Sequence, residues 1–414
     1  MLDDLFRWKL DRERIRANPR KEALERYLAY LVRRGHVTKV CRAYVGVVEH
    51  FGWWLKRRPL SREVVQQFLH RHLPRCRCSI PVFRDFNINS AALNRLLEME
   101  GIPRPGFEFP SGFVGSLLRR YAEQLTAVRG LVAKTVHTRV VYILALLTGL
   151  RVRRASHLLA WTPDQIERYV CEKAQRSSAG TSRVIACAAR SFLRFLLQEG
   201  LIRRDLSLAV PTVARWRLAS LPDTLDANEV ARLINATAVR RPIELRDRAM
   251  LLCMSELGLR VSDVAGLQLD GIDFTDRVLR LRCHKMQKAT MLPMTDKLVS
   301  ALKDYLRRGR PNCTSRGMFV VHQAPVGKPM TPDGIRGVVT RRAARAGLGH
   351  RVGGTHVLRH SLASRMLKAG ASLKQIADVL GHQSINTTAI YAKVDLDALS
   401  AVALPWPGAK GVQP

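Results

Sequence analysis

Residues 356–391 read HVLRHSLASRMLKAGASLKQIADVLGHQSINTTAIY. His356 and Arg359 stand three apart, so on a helix both side chains lie on one face. Residues 373–380 read as a further helix that ends at Gly381, a residue suited to the left-handed cap. That cap delivers His382 from a loop, and Tyr391 closes the stretch. Another arginine lies well upstream in Gly258-Leu259-Arg260-Val261-Ser262-Asp263. Asp263, at i,i+3, is placed to orient Arg260 or its neighbourhood.

Working outward, the whole chain of 414 residues is long for one domain, and two or three are expected. Hydrophobic residues make up 47%, enough for real cores. Lys and Arg total 69 against 34 Asp and Glu, a formal net charge of +35. That excess points to a polyanionic partner, with a ribosomal or merely soluble basic protein as the alternative. Basic pairs recur from Arg33-Arg34 to Arg341-Arg342, which suits folded domains around a duplex better than one disordered arm. The start, MLDDLFRWKLDRERIR, has no apolar targeting core, and the apolar run 140–147 is too short for a bilayer. Eight cysteines without a disulfide-rich pattern fit a reducing compartment, so a cytoplasmic, membrane-free protein is expected.

The expected fold is mainly α, in three segments. Residues 1–108 form a helical N-terminal extension, ending in the turn-rich stretch Gly101-Ile102-Pro103-Arg104-Pro105-Gly106. Residues 112–210 carry helical patterns at 114–128 and 135–148, a helix start at Thr162-Pro163, and a stripe of Val184, Ala188, Phe192, Phe195 and Leu196 stopped by Gly200. Residues 222–405, opened by an N-cap at Asp226, hold the motifs above; 406–414 are a tail. Strand patterns at 277–282 and 289–294 predict one small antiparallel sheet, with 283–288 as its hairpin turn. Residues 27–35 and the helix after them echo 121–130, a partial repeat.

Breaking a phosphodiester without a metal needs a nucleophile, donors for the charge on the non-bridging oxygens, and an acid for the leaving oxygen. Arginine suits the second task because its planar fork stays charged and grips phosphate with two hydrogen bonds. Leu-Gly-Leu-Arg at 257–260, His-x-x-Arg at 356–359, Leu-Gly-His at 380–382 and Tyr391, in this order, resemble the active site of the tyrosine recombinases, or phage integrases. The resemblance implies that Tyr391 attacks DNA to give a 3′-phosphotyrosyl link and a free 5′ hydroxyl. It implies that Arg260 and Arg359 clamp the phosphate, that His356 accepts or donates a proton, and that His382 binds the phosphate. His360, next to Arg359, is expected to point elsewhere and be structural. A free phenol has a pKa of about 10, and nearby arginines would favour its ionised form.

Lys285 in the expected hairpin fits the family's leaving-group acid, with Lys288 as the alternative. The resemblance extends to 112–210 as a helical, SAM-like core-binding domain. It implies double-stranded DNA as partner, a homo-tetramer on synapsed sites and no cofactor, for integration, transposition or resolution. A topoisomerase of type IB and a DNA-binding accessory protein are the competing readings. Outside this constellation, His70, His72, Cys76 and Cys78 form a zinc candidate, set against an incidental loop of such residues.

Overall fold

A computed structural model of the chain describes residues 2–6, 9–78, 85–103, 108–213, 222–236, 240–282, 289–382 and 384–391. The described parts of Met1–Ile102 and Leu218–Pro414 group as one compact unit, and those of Pro103–Arg217 as the other. The architecture is mainly α, with one three-stranded antiparallel sheet. No helix among the described residues is long and apolar enough to cross a membrane.

The Pro103–Arg217 unit is built on helices Gly112–Ala127, Ala133–Gly149, Pro163–Gln175 and Ala179–Gln198. Thr162 caps the third through a reciprocal box with Gln165, with Pro163 in the first turn where no N–H is needed. Phe192, Phe195 and Tyr121 pack ring to ring in its core at 5.1–5.9 Å. Full burial of each such ring contributes about 1.5–3 kcal/mol. Val184 is a correction to the sequence reading: it is exposed, and Ile185 and Ala186 carry the inward face there. A stripe read in steps of four drifts by roughly 40° per step on a helix of 3.6 residues per turn, so its far end rotates out.

Residues 2–102 have a core of their own, on helices Lys21–Arg33, Thr38–Leu55 and Phe86–Met99. Its local geometry parallels the other unit. The buried Tyr27 hydroxyl donates to Ala92 O at 2.7 Å, as the Tyr121 hydroxyl does to Ala188 O at 3.5 Å. Gly35 and Gly130 both adopt positive φ two or three residues after a helix end. Gly101 and Gly200 do so again, each followed by an amide that bonds back to the helix.

The remaining part is organised around the helix Pro242–Glu256, buried on nearly every face and packed by Asp296–Asp304, Pro332–Arg345 and His356–Lys368. An ionic group crosses this core: Asp247 accepts from Arg246 at 2.7 Å and from Arg342 at 2.7 Å, all three being buried. Strands β1 (Ile272–Asp273), β2 (Val278–Arg282) and β3 (Ala289–Pro293) lie antiparallel in chain order. Leu279 faces Leu292 on the buried side, while Arg280 pairs with the exposed Met291 on the other. β2 starts one residue later than the sequence pattern implied, because Arg277 takes a left-handed turn conformation (φ 53°) after the Asp273 side chain captures the amides of Thr275 and Asp276. Val326 N donates to Arg34 O at 3.2 Å, one link between residues 2–102 and this part.

Candidate active site

Four elements bring Arg260, His356, Arg359, His382 and Tyr391 together. Gly258, with φ +61°, turns the chain out of the Pro242–Glu256 helix. A Cβ there would meet Leu380 Cδ2 at 2.5 Å and Leu362 Cδ2 at 3.0 Å, so conformation and packing both call for glycine. Two residues on, Arg260 caps the short helix Val261–Gly266. Asp263 Oδ2 accepts the backbone amide of Arg260 at 3.1 Å, so the carboxylate steadies the backbone of this arginine. The Arg260 side chain stays exposed, with one N–H donating to Gly381 O at 3.4 Å.

Arg359 emerges from the helix His356–Lys368 and is buried. Its guanidinium donates to Gly258 O at 2.6 Å and to Leu380 O. Leu380 and Gly381 end the helix Leu373–Leu380, whose last carbonyls lack intrahelical partners and carry the negative end of the helix dipole. One helix end therefore holds both guanidiniums, and each keeps further N–H donors for an anion. Burial and the charge of Arg260 push Arg359 down to about 10, so it remains a cation at neutral pH.

Gly381 adopts the left-handed cap (φ 59°), and His382 N bonds back to Ala377 O at 2.9 Å. The ring is fixed through Nδ1, 2.7 Å from the hydroxyl of the buried Thr388. Burial, then the charges of Arg359 and Arg260, lower its pKa to about 4, which leaves the imidazole neutral. His356 opens its helix from an exposed position; partial desolvation and the charges of Arg359, Arg260 and Arg336 lower it too.

Tyr391 is 1% exposed and packs with Ala363, Ile376 and Leu380. Its hydroxyl lies 2.8 Å from His360 Nδ1. The expectation that His360 points away is corrected: at i,i+4 from His356 it shares that residue's helix face, and the two rings are 6.2 Å apart. The expectation of an acidified phenol is corrected as well. Arg359 and Arg260 do lower the Tyr391 pKa, but burial outweighs them and the net shift is upward. His360 is lowered by burial first, then by His356 and Arg359, so its ring is neutral and able to accept the phenol proton.

Lys285 and Lys288 lie outside the described residues, in the segment that joins β2 to β3. The zinc candidate is regrouped by the structure. His70 turns to the Phe86 ring at 5.3 Å, and His50 takes its place beside His72, Cys76 and Cys78. Residues two apart on a helical turn point to roughly opposite sides, so His70 and His72 do not both face one centre. His50 left no local sign, being 22 residues upstream of His72 on another helix.

Comparison with known proteins bears on this geometry. Residues 223–397 match the Phage integrase family, and residues 118–200 match its N-terminal SAM-like domain. An integrase/recombinase of Sinorhizobium fredii is 30% identical over 412 residues, covering 99% of this chain and 96% of its own. Another from that species is 42% identical over 240 residues, which span 58% of each chain. The tyrosine recombinase XerD of Corynebacterium glutamicum is 34% identical over 236 residues, 56% of this chain and 74% of its own. The fold is that of the XerH site-specific recombinase in its post-cleavage complex with difH, with a TM-score of 0.57 at 18% identity over 81% of this chain and 93% of that one. Matched nearly end to end by one relative and carrying both domains of the family in order, the chain belongs to the phage integrase family, the tyrosine recombinases.

Proposed function

We propose that Tyr391 is the nucleophile with which this tyrosine recombinase cuts and rejoins DNA. The Tyr391 hydroxyl held against His360, beside a helix end that gathers Arg260 and Arg359, carries the reading. The phenolic oxygen attacks phosphorus, and the bond from phosphorus to the 5′ oxygen breaks. The phenol proton passes to His360, and Lys285 or Lys288 protonates the departing oxygen. Arg260 and Arg359 carry the charge that grows on the non-bridging oxygens, the largest contribution expected at such a centre. His382, neutral and oriented by Thr388, donates to the same oxygens, and His356 exchanges protons at the edge of the site. The 3′-phosphotyrosyl link conserves the phosphoester, so a 5′ hydroxyl from a partner strand reverses the step without ATP.

Double-stranded DNA is the partner that a net charge of +35 fits, and a homo-tetramer on two synapsed sites is the assembly that strand exchange needs. Residues 1–108 are a partial repeat of the helical core-binding domain at 112–210. The matched pairs Tyr27 and Tyr121, Gly35 and Gly130, Gly101 and Gly200 support that duplication. Integration, transposition and resolution of a mobile element all use this chemistry.

The test is strand transfer in buffer without added divalent metal. Labelled duplexes from the ends of the protein's own genetic locus, nicked near the cleavage point, are mixed with a second duplex bearing a 5′ hydroxyl. Recombinant-length strands that need the second duplex support the reading. Cleavage or relaxation of supercoiled DNA with no joining to the second duplex would contradict it in favour of a relaxing enzyme.

A further inference from the structure

The segment 38–78 holds a cluster that DNA cleavage does not use. His50 lies on the inward face of the helix Thr38–Leu55 and is 2% exposed. His72 ends the π-helical turn Phe68–His72, and Cys76 and Cys78 follow the 3₁₀ turn Leu73–Arg75. One nitrogen or sulfur from each of the four lies within 4.8 Å of all the others. His72 Nε2 and His50 Nε2 are 3.3 Å apart, Cys76 Sγ is 3.4 Å from His50 Nε2, and Cys78 Sγ is 3.7 Å from His72 Nε2.

These three distances are close to the corresponding three of the six edges of a zinc tetrahedron. Bonds of about 2.0–2.1 Å to nitrogen and about 2.3 Å to sulfur at tetrahedral angles require edges of about 3.3 Å between nitrogens and about 3.5 Å between nitrogen and sulfur. Hydrogen bonding accounts for the arrangement less well. Two Nε2 atoms facing each other share at most one proton, yet each also meets a thiol. A cation at the centre satisfies all four lone pairs at once.

The surroundings fit a ligand set. Cys78 N donates to Cys76 Sγ at 3.4 Å, as an amide does to a thiolate bound to metal. The Phe68 ring meets the edge of His50 and stacks on His72, both at 5.2 Å, which fixes both imidazoles. Two imidazoles and two thiolates are donors that suit zinc, and with four protein ligands the site is closed, hence structural.

We propose that His50, His72, Cys76 and Cys78 form a tetrahedral zinc site that pins the 72–78 turn to the Thr38–Leu55 helix. The pinned turn carries the exposed Arg75 and Arg77, with the exposed Arg71 just before it, so the metal fixes a basic edge of the N-terminal segment.

The full chain, purified under reducing conditions and reconstituted with zinc or cobalt(II), tests this. About one zinc per chain is expected by elemental mass spectrometry, and cobalt should give intense tetrahedral bands with thiolate charge transfer. Cys78→Ser and His50→Gln should each weaken metal binding at least about tenfold, whereas His70→Gln should leave it unchanged. Cys78 is exposed, so Cys78→Ser carries the test if His50→Gln does not fold, with circular dichroism as the check on folding. No stoichiometric uptake by the reduced protein would overturn the proposal. So would cobalt bound without thiolate bands, or loss of metal on His70→Gln.

Discussion

At the residue scale, the Tyr391 hydroxyl meets His360, and burial raises the phenol pKa against the opposing pull of Arg359 and Arg260. A neutral His360 at 2.8 Å offers the proton a destination at ordinary pH. His360→Gln should therefore slow covalent cleavage about 10²-fold at neutral pH, the usual contribution of a positioned base. The sign of the pH effect follows from the shifts. With His360 present, the rate should level off once pH exceeds the lowered histidine pKa, below its usual 6.5. In the variant the phenol must ionise by itself, so the rate should climb roughly tenfold per pH unit toward the raised tyrosine pKa. Single-turnover cleavage across pH reads both, and parallel profiles for the two proteins would assign His360 a packing role.

At the scale of elements, the helix Leu373–Leu380 organises the site from its C-terminus, with Leu380 O and Gly381 O holding Arg359 and Arg260. The helix Pro242–Glu256 underlies it and has Asp247 shared between Arg246 and Arg342 in the buried core. Removing that carboxylate leaves buried Arg246 without an acidic partner and Arg342 with only Glu244, 4.0 Å away. Asp247→Ala should cost about 3–5 kcal/mol in urea unfolding; a loss below about 1 kcal/mol would mean that water reaches the arginines. Much at this scale was legible in the sequence. Thr162-Pro163, Asp226, Gly381 and the alternation in β2 and β3 are local signals, and each corresponds to the expected cap or strand. The exposure of Val184 was not legible, since a stripe in steps of four hides its own drift. The partners of Arg359 were not either, because backbone carbonyls leave no mark in sequence.

At the scale of the whole molecule, the mainly α architecture with one small sheet follows from composition and period, and the family follows from motif order. His50 shows where such reading stops: a buried histidine reads as core until the fold brings His72, Cys76 and Cys78 to it. The grouping of residues 2–102 with the C-terminal part depends on contacts such as Arg34 with Val326, far apart in the chain and without a motif.

Mapping the adduct shows whether Tyr391 becomes covalently joined to DNA. Protein trapped on nicked DNA is digested with nuclease and trypsin, and the tryptic peptide 375–393, in which Tyr391 is the one tyrosine, is weighed. A nucleotide 3′-phosphate is expected on that peptide, located to Tyr391 and absent from Tyr391→Phe protein that still binds the DNA. A nucleotide on another residue, or an adduct that survives Tyr391→Phe, would contradict it.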